Sequence, residues 1–164
     1  MGRLPSDPSD RRVDFIPYSM PGELVIPNSP ASGVQFPDAT FLFSIDKPFE
    51  IHRMIPRITG LDAEGNVVPE QPDQDTLAGL VKLRIVDFSK NENLTKSSAF
   101  VRTLVKGSNE RTWEWERPYP LERAEGFQIL VDTLPIPAFV PAISQLRVEI
   151  TFQGYLVVTP VDAR

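Results

Sequence analysis

Proline placement constrains this chain more than any other feature of its sequence. The protein has 17 prolines in 164 residues, and Pro5, Pro8, Pro17, Pro21, Pro27, Pro30 and Pro37 crowd its N-terminal stretch. Each proline lacks a backbone N–H, fixes its own φ and pushes the residue before it out of the helical region. No helix runs through such a stretch, so residues 1–39 are expected to form an extended arm.

The head of that arm, Ser6-Asp-Pro-Ser-Asp-Arg-Arg12, is polar and charged, but the remainder is not. Phe15, Ile16, Tyr18, Met20, Leu24, Val25, Ile26, Val34 and Phe36 recur between the prolines. A segment serving only as a spacer carries few such side chains. They need a surface to cover, either the chain's own body or a neighbouring chain. At ~3.1 Å per residue, an extended arm of this length reaches on the order of 100 Å. Phe15, Ile16, Tyr18, Met20, Leu24, Ile26 and Phe36 are therefore candidate contacts with a partner protein.

From Thr40 the pattern becomes that of strands. Thr40-Phe-Leu-Phe-Ser-Ile45 alternates, and Asp46-Lys-Pro48 reads as a turn. A second strand over Phe49–Thr59 loses its alternation near Ile55-Pro56, which implies a bulge or an edge position. Asp62-Ala-Glu-Gly-Asn66 is a turn, followed by a polar loop through Asp75. Further strands are expected over Leu80–Asp87, Phe100–Val105, Arg111–Glu116, Gly126–Thr133 and Leu146–Val158, the last kinked at Gly154. Short helical turns fit only near Asp75–Gly79 and Pro141–Gln145. About eight antiparallel strands in residues 40–164 suit an all-β sandwich or jelly roll.

Sites for chemistry are sparse. His52 is the only histidine and lies mid-strand, with no nucleophile or orienting acid gathered near it in sequence. Asp62, Glu64 and Asn66 alternate like calcium ligands, but the remaining positions of a calcium loop are missing and a turn explains them. Glu114 and Glu116 share one face of a strand, beside Arg111 and Arg117, as a solvated ion-paired face would. Phosphate-binding loops, dinucleotide fingerprints and nucleophile elbows are absent. These readings predict a protein that is not an enzyme, with no catalytic residues, no metal and no cofactor. Trp113 and Trp115 either fill the core or, if exposed with Tyr119, form a platform that stacks on sugars or anchors a protein interface. Arg117-Pro-Tyr-Pro120 is the better contact candidate, because its prolines force it to a sheet edge or loop. Arg117 and Tyr119 join the candidate interaction residues on that ground.

A net charge of -5 and a pI near 4.9 argue against nucleic acid and anionic membranes as partners. The chain has no cysteine, which removes disulfides, thiolate metal sites and cysteine nucleophiles. Its first residues lack the apolar stretch of a secretory signal, and no apolar run approaches the roughly 18 residues of a membrane span. Met1-Gly2 and Ser6 match the loose myristoylation pattern, which Pro5 and the charges after it make a coincidence.

Four segments together resemble a known group of proteins. Phe49-Glu-Ile-His-Arg-Met-Ile-Pro-Arg57, Trp113-Glu-Trp-Glu-Arg-Pro-Tyr-Pro-Leu121, Gly126-Phe-Gln-Ile-Leu-Val-Asp132 and Leu146-Arg-Val-Glu-Ile-Thr-Phe-Gln-Gly-Tyr-Leu156 are similar in strand pattern to small structural proteins of tailed-phage virions. Among these are jelly-roll cement, or decoration, proteins on the outside of the head. The resemblance implies a virion protein that binds the outer surface of a major capsid protein shell of the HK97-type fold. It further implies self-association as a dimer or trimer, synthesis in the host cytoplasm, and no catalytic residues. A tail, baseplate or collar component and a carbohydrate-binding β-sandwich module are the alternatives.

Overall fold

The computed structural model describes residues 14–27, 40–44, 47–87, 90, 92–95, 99–105, 112–122, 126–139 and 141–158. These contain the strands β1 (Asp14–Pro27), β2 (Thr40–Ser44), β3 (Phe49–Leu61), β4 (Val81–Asp87), β5 (Glu92–Asn93), β6 (Ala99–Phe100), β7 (Trp113–Leu121), β8 (Gly126–Thr133) and β9 (Gln145–Val158). Two short helices, α1 (Gln74–Ala78) and α2 (Val101–Leu104), interrupt them. The first sheet has the order β1-β9-β3-β7; the second has β2-β8-β4-β5, with β6 also on β4. All pairings are antiparallel.

The nesting of these pairs defines the topology. β1 pairs with β9, β2 with β8, β3 with β7 and β4 with β5, as in a long ribbon doubled back on itself. The ribbon then rolls, so that β9 meets β3 and β8 meets β4. This is the jelly roll, and the expected all-β sandwich is what the chain forms. Alternation fills the space between the sheets. Val81, Leu83 and Ile85 from β4, Ile129 and Val131 from β8, and Leu146, Val148, Ile150 and Phe152 from β9 are all buried in one cluster.

Several expectations are corrected. Asp14–Pro27 is a strand of the body, paired with β9 along all 14 residues, so the division at 39/40 cuts through the first sheet. Of the two surfaces available to the apolar stretch, this part takes its own domain. Met20, Leu24 and Ile26 face inward opposite Phe152, Val148 and Leu146. Removing a side chain such as Ile26 from water stabilises by ~1.5–3 kcal/mol, more than a solvated arm gains. Phe100–Val105 is not a strand: Phe100 ends β6 and α2 follows. Val101 and Val105 are buried and lie four residues apart, a spacing that serves one helical turn, and the Val105 N–H donates to the Val101 carbonyl at 3.1 Å. Pro141–Gln145 contains no helical turn, whereas the turn expected near Asp75 is α1, capped by the Asp73 side chain.

The prolines of β1 share one side of the strand. The Val157 N–H on β9 donates toward β3, to the Pro48 carbonyl at 2.8 Å. Backbone groups alternate in direction along a strand. The even-numbered residues of β9 therefore face β1 and bond to its even-numbered residues. Pro17, Pro21 and Pro27 are odd, so their missing donors fall on the open margin of the sheet, where a proline costs no ladder bond. The same reasoning at β7 puts Pro120 on the opposite margin, since Leu121 and Tyr119 face Phe49 and Ile51 of β3. There the Lys90 ammonium donates to the Pro120 carbonyl at 2.9 Å.

β3 is an interior strand, and its irregularity lies at His52 rather than Ile55-Pro56. The register with β9 and with β7 shifts between Ile51 and Arg53. The extra residue lets Phe49 and Ile51 before the bulge, and Met54, Pro56 and Ile58 after it, all point inward. β7 stops pairing opposite Met54, leaving the far half of β3 with an open side. Pro56 has no donor to lose there. Ile58 and Gly60 do, and two glutamine amides replace the missing strand. The Gln74 amide accepts from the Ile58 N–H at 3.2 Å and donates to its carbonyl at 2.7 Å. The Gln71 amide accepts from the Gly60 N–H at 2.7 Å and donates to the Gly60 and Val68 carbonyls at 2.9 and 2.7 Å. Beyond Leu61, the turn at Asp62–Asn66 forms as expected, with Gly65 at a φ of 88°. Hydrogen bonds from Asn66 hold the Asp62 carboxyl below the usual carboxylate range.

Candidate functional site

The bulge at His52 shapes the outer face of the first sheet. Four residues of β7, Trp115 to Pro118, lie across from His52 alone, because Ile51 pairs with Tyr119 and Arg53 with Glu114. On the other side, Gly154 of β9 lets the β3 backbone come close: a Cβ there would collide with the Glu50 carbonyl oxygen. The two irregularities open a cleft of about 540 Å³ that crosses all four strands. β1 contributes Pro17, Tyr18 and Ser19; β3 contributes His52 and Arg53; β7 contributes Glu114 and Trp115; β9 contributes Gln153, Gly154 and Tyr155.

Its side chains are held by one another. The Arg53 Nε donates to Gln153 Oε1 at 2.7 Å. The His52 ring stands edge-on to Tyr155 at 5.0 Å, and Tyr155 meets Phe15 in the same manner at 6.4 Å. Trp115 packs on Trp113 at 4.4 Å and on the core residue Phe152 at 6.1 Å. His52 Nε2 is buried without a hydrogen-bond partner; the nearest carboxylate oxygen, on Glu50, is 3.9 Å away.

The candidate interaction residues fall into five groups. Phe15, Ile16 and Tyr18, 45%, 48% and 43% exposed, are an apolar run at the start of β1, with Phe15 against Tyr155 and Tyr18 edge-on to the core residue Phe49 at 5.8 Å. Met20 and Ile26 are buried core residues, and Leu24 is half-buried against the core, so these three cannot serve as surface contacts while the fold is intact. Arg117 is exposed in the β7 irregularity. Tyr119 turns inward instead: its hydroxyl donates to Asp87 Oδ2 at 2.7 Å, joining the two sheets, and Lys90 lies over its ring at 4.9 Å. Phe36 lies outside the described residues. Trp113 and Trp115 are both half-buried, which makes them neither full core residues nor, with Tyr119, a flat platform.

The sequence reading missed the cleft residues His52, Arg53, Gln153 and Tyr155 as a group. Two signals for it were present: the broken alternation of β3 and the glycine in an otherwise regular β9. Among the described residues, no three His, Asp or Glu side chains gather as metal ligands, and no helix is long and apolar enough to cross a membrane. Comparison with known proteins returns no matching family, no matching curated protein and no matching solved structure.

Proposed function

We propose that this protein is a structural subunit that docks on a larger assembly, in the manner of the cement proteins that stabilise tailed-phage heads from outside. The observation that carries this reading is the run of exposed apolar side chains at the start of β1, Phe15, Ile16 and Tyr18, on the margin of a jelly roll. Large apolar side chains grouped on a surface mark a site where another molecule binds. The resemblance of the strand sequences to virion proteins supplies the kind of partner, a major capsid protein of the HK97-type fold. Docking is through side chains on a face, because prolines blunt the strand margins against edge pairing. Self-association as a dimer or trimer would present several patches at once and multiply a modest single-site affinity.

The test is copy number on particles. Virus particles purified from cells that carry the gene should hold the protein at a fixed, high ratio to the shell subunit, measured by quantitative mass spectrometry. Phe15→Asp with Ile16→Asp, which leaves the core untouched, should remove it from particles and lower their resistance to heat. A few copies per particle would place the protein in the tail or collar instead. Full incorporation of the double variant, or absence of the wild-type chain from particles, would refute the reading.

A further inference from the structure

We propose that the cleft across the His52 bulge binds a neutral oligosaccharide, a property separate from docking through the Phe15–Ile16 patch. Its volume of about 540 Å³ falls in the ~300–1,000 Å³ range of small-molecule sites. Its walls combine two chemistries. His52 and Tyr155, edge to face at 5.0 Å, supply ring surfaces, and Ser19, Arg53, Glu114 and Gln153 supply donors and acceptors; the rings of Tyr18 and Trp115 are engaged with the core residues Phe49 and Phe152. A sugar ring needs both, because its C–H faces pack on aromatic rings and its hydroxyls donate and accept at the rim. The groups stand on strands rather than loops, and Gln153 is already oriented by its bond from Arg53 at 2.7 Å.

Charge argues for neutrality in the ligand. Arg53 and Glu114 are cross-strand partners of opposite sign, so the cleft presents no net charge to a phosphate or a carboxylate. His52 contributes ring surface rather than a hydrogen bond, because its Nε2 is closed off from solvent and so from a ligand hydroxyl. The flat platform of Trp113, Trp115 and Tyr119 is not this site: only Trp115 belongs to the cleft, and Tyr119 is committed to Asp87.

The test uses the full chain on a glycan array. Titration calorimetry and tryptophan fluorescence then follow, with cellotetraose, maltotetraose, chitotetraose and mannotetraose, and with sialyllactose and tetragalacturonate as charged contrasts. At least one neutral tetrasaccharide should bind saturably and shift the emission. Gln153→Ala and Glu114→Ala, both on the outer face, should each weaken that binding about tenfold or more with an unchanged thermal melt. Ile16→Asp alone, at a docking residue that does not line the cleft, should leave it unaltered, which separates this site from the docking surface. No binding by any neutral glycan at concentrations on the order of 10 mM, preference for the charged sugars, or wild-type affinity in both cleft variants would overturn the proposal.

Discussion

Replacing Gln71 tests whether side chains stand in for a missing strand. In the native protein its amide makes three hydrogen bonds, to the Gly60 N–H and to the Gly60 and Val68 carbonyls. Gly60 and Val68 are buried. A typical hydrogen bond contributes ~1 kcal/mol net, and a stranded buried polar group costs ~1–3 kcal/mol. Gln71→Ala should therefore destabilise by about 3 kcal/mol, less whatever water recovers in the space left behind. Gln71→Glu is the sharper variant. It keeps the acceptor for the Gly60 N–H but sets a carboxylate against two carbonyl oxygens. That raises the folded-state pKa of the new carboxyl, so its stabilising protonated form persists at low pH and is lost as pH rises through the folded pKa. Urea melts followed by circular dichroism at pH 7 and pH 4 should find the glutamate variant about as unstable as alanine at the higher pH and partly recovered, relative to wild type, at the lower. An alanine variant within ~0.5 kcal/mol of wild type would show that water serves the β3 margin as well as glutamine does, and the surrogate-strand argument would fail.

Three further outcomes follow from the same geometry. Tyr119→Phe removes the hydroxyl that binds the fully buried Asp87, and should cost about 2 kcal/mol in chemical denaturation, as for a charge-assisted bond; a neutral effect would mean the two sheets are not tied there. Gly154→Ala drives a methyl into the Glu50 carbonyl, a backbone collision that side-chain rotation cannot relieve, and should lower stability by at least ~3 kcal/mol. Replacing Pro17, Pro21 and Pro27 together with valine restores donors on the open margin of β1. Monomer stability should change little, while light scattering at raised concentration should reveal new self-association; an unchanged size distribution would contradict the assigned direction of those prolines.

Much of the fold was legible because period-two patterning survives where one face of a strand is buried. Leu146, Val148, Ile150 and Phe152 alternate without interruption in the sequence, and all four are core residues of β9. A turn was expected near Asp75–Gly79, where α1 forms; the cap that starts it, Asp73, whose carboxylate accepts from the Thr76 N–H at 2.8 Å, had read only as part of a polar loop. β1 was not legible, because proline density argues against regular structure in a window read without knowledge of the sheet edge. Only the parity of Pro17, Pro21 and Pro27 distinguished a margin strand from a spacer. α2 was misread because Val101, Thr103 and Val105 alternate while Val101 and Val105 also stand one helical turn apart. The cleft was the least legible. Its walls come from four strands that are distant in sequence, and Arg53 meets Gln153 across a separation of 100 residues. No local pattern encodes such a meeting. What the sequence did carry were the two departures from regularity, at His52 and Gly154, that open it.

Those departures and the prolines act toward one end. A jelly roll leaves open margins on its sheets, and an unprotected margin pairs with any extended chain. Here the first sheet closes its margins with proline on β1 and β7 and with glutamine amides on β3, so strand addition is disfavoured along that sheet. What remains is the outer face, where the bulge at His52 and the close approach at Gly154 shape the cleft. The exposed apolar run at the start of β1 lies beside that cleft, where Phe15 meets Tyr155. On the proposed docking role, a molecule built this way would select partners by the chemistry of its side chains rather than by backbone pairing. That is the selectivity a protein needs if it is to sit at one place on a crowded assembly without polymerising with its own copies.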